Sequence, residues 1–332
     1  MDAIIADLKN PSSLPDPTTS VDVVQTHISM VFVADEHAYK IKKPANFGFL
    51  DFSTLQKRAY YCERELELNR RLSKGIYLEV LPVQIEDGRH TLKGKSGQVV
   101  EYALKMKRIP EEDLMKSVFV RGRLTQTDLE RIAQGLASFH LSAERSEMID
   151  GFGHPERFRV NTDENFEQVA PYVNRTLSKD QFDDIRAWTD AFYEHHSTLF
   201  MDRIAQGKIR DCHGDLHMEH ICLTDELAVI DCIEFNDRFR YSDTAADIAF
   251  LLMDLEYHGG EDFSRALWAL YKSLAHEEDV ESLLTFYKVY RAFVRGKVNS
   301  FQLDDPSIDP TQKEKGIETA RRYFTLAHSY IS

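Results

Sequence analysis

The sequence has no long apolar run, and this absence excludes a transmembrane helix. Its longest clean apolar stretch is IAFLLM at residues 248–253, whereas a helix that crosses a bilayer needs roughly 20 apolar residues. The opening residues, MDAIIADLKNPSSLPDP, contain neither a basic start nor a sustained apolar segment, so no secretory signal is predicted. We therefore expect a cytoplasmic protein that does not act at a membrane.

Basic residues are outnumbered, and cysteines are few. The chain has 41 basic and 55 acidic residues and a formal charge of −14. A field of that sign repels phosphate backbones, so nucleic acid is not an expected partner. The four cysteines include no C-x-x-C pair and match no zinc-ligand spacing, so structural thiols in a reducing cytosol are predicted.

The first third of the chain is predicted to be mostly β-structure. QTHISMVFVADEHAYKIKKP (25–44) has two β-branched and aromatic runs around an Asp-Glu turn, which indicates a hairpin. A helix is predicted over 51–72, with Ser53 and Gln56 as its capping box. Two further strands are expected near YLEVLPVQIED and QVVEYALKMKRIP.

From residue 124 the pattern becomes helical. Helices are predicted to follow capping boxes at Thr125/Asp128 and Ser178/Gln181, and again over 279–301 and 313–331. Only a small hairpin, ICL and LAVIDCI around residues 224–226, interrupts this half. Because strands and helices do not alternate as βαβ units, a doubly wound sheet is excluded and an α+β fold is predicted.

The segment CHGDLHMEHICLTDELAVIDCIEFND (212–237) concentrates histidines, acids and cysteines around that hairpin. His213, His217 and His220 could form a metal cluster on one helical face. However, Gly214 and the following strand make a regular helix doubtful, and no H-E-x-x-H motif occurs. A structural or hydrolytic metal cluster is therefore the weaker interpretation.

Phosphoryl transfer explains the segment better. That chemistry needs a carboxylate beside the attacking hydroxyl and cations that neutralise the phosphates. Asp215 could accept the hydroxyl proton, the residue five positions later could bind a metal, and Asp231 could hold Mg²⁺ at the end of the hairpin. We expect Asp215 and Asp231 to converge.

HGDLH, ICL and VID resemble the motifs of aminoglycoside phosphotransferase-like kinases, relatives of protein kinases that act on small molecules. KKPANFGFLDFSTL (42–55) and DCIEFNDRFRYSDTAADIAFLLMDL (231–255) are similar to a bacterial subgroup that often carries an additional P-loop domain. No G-x-x-x-x-G-K-[ST] motif occurs here, so only the kinase-like part is expected. The resemblance implies a bilobal protein-kinase-like fold, with an N-lobe at 1–109 and a helical C-lobe with the catalytic hairpin at 110–332.

The resemblance also assigns roles. It implies that Asp215 is the catalytic base, that His213 orders its loop, that Asp247 braces this loop, and that Asp231 is the main metal ligand, with Glu234 adding charge nearby. Lys40 or Lys42 would contact the ATP phosphates and pair with Glu65; Lys40 is preferred. Ser29, Met106 and Arg108 would complete the nucleotide site, where the backbone near 106–109 meets the adenine.

Two positions depart from the family pattern. His220 stands where an Asn ligand is expected, and imidazole suits Mn²⁺ better than Mg²⁺. The stretch QTHISMVFVADE has no glycine-rich flap over the phosphates. The predicted function is ATP-dependent transfer of the γ-phosphoryl group to a hydroxyl of a small molecule, with Mg²⁺ or Mn²⁺. The alternative is a regulatory pseudokinase that binds ATP without turnover.

The acceptor is not specified by any motif. Acids near MDLEYHGGED (253–262) are expected to line its pocket in the helical half. An acidic lining favours a cationic, amine-bearing acceptor.

Overall fold

The structure is a computed structural model and describes residues 1–305 and 308–332. The chain forms two compact units. The first unit comprises residues Met1–Arg123 and Glu219–Asp237, and the second comprises Leu124–Met218 and Arg238–Ser332. The predicted division at 109/110 therefore lies before the observed one, and the short hairpin groups with the first unit.

The first unit is built on a six-stranded antiparallel sheet in the order β1-β2-β3-β6-β4-β5. Its strands are β1 (Asp22–Gln25), β2 (Ser29–Val33), β3 (His37–Lys42), β4 (Tyr77–Glu86), β5 (Arg89–Thr91) and β6 (Gln98–Lys107). Its helices are α1 (Asp2–Leu8), α2 (Leu55–Asn69) and α3 (Met115–Val120). The predicted hairpin at 25–44 is confirmed.

Alternation along β3 assigns the two faces of this sheet. Tyr39 and Ile41 are buried in the core that includes α1. Lys40 and Lys42 point to the opposite face, against which α2 packs, because strand side chains alternate. The predicted cap of α2 is wrong by one residue, since the side chain of Thr54 caps it by accepting from the Lys57 N–H, while the Ser53 hydroxyl donates to Asp51.

The second unit is mainly helical. Its helices are α4 (Gln126–Ser142), α5 (Glu147–Asp150), α6 (Pro155–Val169), α7 (Lys179–Ala205), α9 (Thr244–Tyr257), α10 (Glu261–Leu274), α11 (Glu281–Phe301) and α12 (Pro310–Ser329). The short α8 (Asp237–Arg240) begins at the unit boundary. Both predicted capping boxes, at Thr125/Asp128 and Ser178/Gln181, are present. The sequence patterns did not predict α1, α6 and α10, although α10 has a clear amphipathic period. The bounds of α9 were not predicted, because its apolar residues are continuous.

Helix α9 is the central element of the second unit. Every residue from Thr244 to Leu255 is buried, and α9 packs against α10 and α11. A short antiparallel pair, β7 (Ile209–Asp211) with β10 (Tyr241–Asp243), precedes α9. In the described parts of the chain, none of the helices combines the length and apolar character needed to cross a membrane.

Candidate active site

The predicted hairpin belongs to the first unit and is attached to the end of α2. It consists of β8 (Ile221–Leu223) and β9 (Leu227–Val229). The Ser73 hydroxyl donates to the Val229 carbonyl at 2.5 Å. The chain then turns at Asp231, whose φ of +60° is in the left-handed region. Asp and Asn tolerate that region better than most side chains, so the backbone itself favours Asp here.

Lys40 lies between two carboxylates. Its Nζ donates to Glu65 Oε1 at 2.8 Å and to Asp231 Oδ1 at 2.6 Å. Burial alone would lower the pKa of Lys40, but the charges of Asp231 and Glu65 outweigh burial and hold this pKa well above its usual value. The structure thus brings together the lysine, the helix glutamate and the post-hairpin aspartate that the sequence singled out.

Lys42 and Glu234 extend this arrangement. Lys42 Nζ donates to Glu65 Oε2 at 2.6 Å and also to Glu234. Both side chains are buried, and burial raises the pKa of Glu234. We call Lys40, Lys42, Glu65, Asp231 and Glu234 the charge network. The two lysines share one glutamate, so they are not alternatives for a single position.

Two residues that support the charge network were missed. The Tyr77 hydroxyl accepts from the Asp231 N–H at 3.0 Å. Asn69 accepts from the Cys232 N–H at 2.9 Å and donates to the Glu65 carbonyl. Asn69 lies one helical turn after Glu65, so a polar residue on the buried face of α2 was an available signal. Tyr77 gave no signal, because tyrosine is common in strands.

The other predicted nucleotide-site residues lie on the sheet. Ser29 is buried at the start of β2, where its hydroxyl is 2.9 Å from that of Thr26. Met106 pairs with β3 on one side and β4 on the other. Arg108 directly follows β6. Its backbone N–H donates to the Glu36 carbonyl and its guanidinium donates to the Ala34 carbonyl, so it links the end of β6 to the β2–β3 turn. Their roles toward a nucleotide stay predictions.

His220 lies in the first unit beside the principal predicted metal ligand. Its Nε2 is 3.6 Å from Asp231 Oδ2, and its carbonyl accepts from the Ile230 N–H at 2.9 Å. The carboxylate offers the oxygen that Mg²⁺ prefers, whereas the imidazole offers nitrogen. The pair fits a divalent cation, with a donor set that suits Mn²⁺ at least as well as Mg²⁺.

The HGDLH segment at 213–217, here called the catalytic loop, belongs to the second unit. Asp247 accepts the backbone N–H groups of His213 (2.9 Å) and Gly214 (2.8 Å). Gly214 has a φ of +87°, which requires glycine. His213 is buried, and its Nδ1 accepts from the Asp215 N–H at 3.3 Å. The Asp215 carboxylate is partly exposed and lies 3.6 Å from His217 Nε2. Asp247 therefore braces this loop, as predicted.

Asp247 is also part of a buried chain of hydrogen-bonded side chains. His140 Nε2 is 3.1 Å from Asp247 Oδ2, and its Nδ1 is 2.7 Å from the Tyr271 hydroxyl. Burial alone would raise the pKa of Asp247, but the hydrogen bond from His140 and the charges of His213 and Arg291 hold it well below its usual value. His140 and Arg291 were missed, because their contacts depend on tertiary packing.

Asp247→Asn should lower the free energy of unfolding by about 3 kcal/mol near neutral pH, because the buried Arg291 loses a nearby anion and one of the two backbone N–H groups loses its acceptor. The folded-state pKa of Asp247 is lowered. Its contribution is therefore complete above the unfolded carboxyl pKa, about 3.9, and is lost as the pH falls below it. Urea unfolding of both proteins across acidic and neutral pH measures this difference. Asp262→Asn, at an exposed surface pair, is the control. A wild-type advantage that persists undiminished in acid would contradict the assignment.

A family model identifies the family of this chain. A model of the phosphotransferase enzyme family (APH) matches residues 49–283. Uncharacterized proteins of Mycobacterium tuberculosis and Mycobacterium bovis are 35% identical over 279 residues, which is 84% of this chain and 54% of theirs. The chain thus spans about half the length of these curated relatives.

Two solved structures share the fold. A choline/ethanolamine kinase family protein from Mesorhizobium loti is 15% identical, with a TM-score of 0.52, and the match covers 95% of this chain and 92% of that one. Amicoumacin kinase hAmiN, solved with AMP-PNP, Ca²⁺ and Ami, is 12% identical, also with a TM-score of 0.52 over 95% of this chain and 89% of that one. The predicted α+β, protein-kinase-like fold is confirmed.

Proposed function

The chain belongs to the phosphotransferase enzyme family, and we propose that it transfers the γ-phosphoryl group of ATP to a hydroxyl group of a small molecule. Family membership supports small-molecule phosphotransfer in general. The observation that carries the finer proposal is the position of Lys40 between Glu65 and Asp231. In phosphoryl transfer a lysine held by a helix glutamate binds phosphates, and a nearby aspartate holds the metal.

The first unit would bind the nucleotide. Lys40 would move its ammonium from Asp231 to the α- and β-phosphates while Glu65 continues to orient it. Lys42 and Glu234 would hold Glu65 in place from the buried side. Asp231 would be the main ligand of the metal, with His220 beside it. A bound divalent cation supplies neutralisation of phosphate charge.

The second unit would supply the base. The Asp215 carboxylate would accept the proton of the acceptor hydroxyl as its oxygen bonds to the γ-phosphorus, while the bond between that phosphorus and the β–γ bridging oxygen breaks and ADP leaves. Its loop is held by Asp247 through two backbone N–H groups, which limits the conformations of Asp215 and favours a fixed geometry. The four cysteine thiols are buried, and none forms a disulfide within the described residues, which supports a reducing cytoplasmic location.

Coupled ADP release with Mg²⁺ or Mn²⁺, against a library of hydroxyl compounds, tests this function. We expect acceptor-dependent turnover that is higher with Mn²⁺ than with Mg²⁺, because His220 contributes a nitrogen donor. His220→Asn restores an oxygen donor and should shift the preference toward Mg²⁺. ATP binding without turnover under either metal would contradict the proposal and favour a regulatory nucleotide-binding protein.

A further inference from the structure

Helix α11 carries two arginines one turn apart, and the first of them contacts the catalytic loop. The Arg291 guanidinium donates to the carbonyls of Gly214, at 2.9 Å, and Ala246, at 3.2 Å. Arg295 follows four residues later, so it lies on the same face of α11, one turn further along. The first of these two carbonyls belongs to Gly214, the residue before Asp215. The charge of Asp215 also acts on the Arg295 guanidinium, which is consistent with a position of Arg295 near the proposed base.

Arg295 differs from the buried arginines of the second unit in its partners. Arg203 pairs with Asp243 and Glu277, and Arg240 pairs with Asp211. In contrast, the Nε of Arg295 is buried and has no hydrogen-bond partner among residues 1–305 and 308–332. The guanidinium lies over the ring of Tyr323, with Cζ 5.5 Å from the ring centroid. A buried donor without an acceptor is destabilising. Arg295 as a whole is only half-buried, so an anion that reached the guanidinium would offset this cost.

The local charges keep this guanidinium ionised. Burial opposes the charge of Arg295, but Tyr323 and the carboxylates of Asp215 and Asp254 outweigh burial and hold its pKa above the usual value. Asp254 itself accepts the Met218 N–H at 3.0 Å. Arg295 thus remains a cation with one N–H group that no described protein group accepts.

The acids that were expected to line an amine-binding pocket are paired with other groups of the protein. Besides its bond to Met218, Asp254 lies 3.8 Å from His258 Nε2. Glu256 accepts from Lys288 at 2.6 Å and from Ser264 at 2.7 Å. These carboxylates are already paired with protein groups, which weakens the case for a cationic acceptor.

We infer that Arg295 binds an anionic group of the acceptor, a carboxylate or a phosphate, and thereby places a neighbouring hydroxyl at Asp215. This inference rests on the proposed function and narrows its substrate class to hydroxy acids or phosphorylated alcohols. The planar guanidinium fork matches both anions. Tyr323, stacked on Tyr257 with ring centroids 3.7 Å apart, gives the subsite a flat aromatic wall that keeps Arg295 in position.

Calorimetric titration of the full chain with matched probes tests the inference. Glycerate and glycerol 3-phosphate are the anionic probes, glycerol is the neutral one and ethanolamine the cationic one. We expect an anionic probe to bind best, and Arg295→Gln to weaken it roughly 10- to 100-fold. Arg295→Lys, which keeps the charge without the fork, should lose less. Arg321→Gln, at an exposed arginine on α12, should change nothing.

Coupled ADP release with the same probes separates this inference from the proposed function. In Arg295→Gln the KM of the anionic acceptor should rise about as much as its affinity falls, with a smaller change in kcat. Anion binding that depends on Arg295 without ADP release would overturn the kinase proposal and leave the subsite standing. Transfer to glycerol or ethanolamine in preference to the anionic probes would support the kinase proposal and overturn the anionic subsite. An Arg295→Gln protein with wild-type affinity, or no preference for either anion, overturns the inference.

Discussion

Asp231→Asn should abolish metal-dependent ATP binding. Removing a group that merely orients a metal ligand weakens binding roughly 10- to 100-fold, so loss of the proposed main ligand should cost more than roughly 100-fold. An amide oxygen carries no charge to offset a divalent cation. The substitution leaves Lys40 paired with Glu65 at 2.8 Å, and Asn accepts the left-handed backbone of residue 231. The fold should therefore persist.

Titration of a fluorescent ATP analogue with and without Mg²⁺ or Mn²⁺ measures this effect. Asp87→Asn is a matched control, because Asp87 is exposed and has a φ of +50° in the same unit. It repeats the chemical change at a left-handed position away from the charge network. Metal-dependent binding that survives in Asp231→Asn would remove Asp231 from its assigned role.

Asp215→Asn should retain ATP binding and lose transfer. Removing a general base typically lowers kcat about 10²- to 10⁴-fold, and no such loss is expected in nucleotide affinity because Asp215 is assigned to the acceptor hydroxyl. The Asp215 side chain is partly exposed, and its backbone N–H keeps its bond to His213. The variant should consequently fold as the wild type does.

Single-turnover transfer and ATP titration on the same preparation distinguish the two aspartates. Asp202→Asn, at an exposed residue of α7, is the control in the second unit. Equal loss of ATP binding in Asp215→Asn and Asp231→Asn would contradict the division of roles. A kcat unchanged in Asp215→Asn would instead show that the hydroxyl loses its proton without this carboxylate.

Sequence patterns predicted the parts of the site that depend on local periodicity. Strand alternation placed Lys40 and Lys42 on one face, and the hairpin length placed Asp231 just beyond β9. The contact of Lys42 with Glu234 could not be predicted, because Glu234 follows Lys42 by 192 positions. Only the packing of α2 and the hairpin brings these charges together.

The second unit was less predictable, because its contacts also depend on the packing of segments that are distant in the sequence. Capping boxes located α4 and α7 because a cap depends on four adjacent residues. Helix α9, buried from residue 244 to 255, has apolar residues on every side and therefore no amphipathic period. Asp254 was expected to line the acceptor pocket, but it accepts the Met218 N–H instead. Arg291 and Arg295 look like ordinary charges on a helix surface until α11 is placed beside the catalytic loop.

Because two lysines share Glu65, this glutamate keeps a cationic partner in the charge network when one lysine is replaced. If Lys40 is replaced by a neutral side chain, Glu65 still has Lys42 within 2.6 Å, so no buried carboxylate is stranded. In the proposed function, Lys40 contacts the phosphates while Lys42 supports Glu65. A neutral side chain at residue 40 should then remove the proposed transfer in an intact scaffold and give an inactive variant for trapping an acceptor.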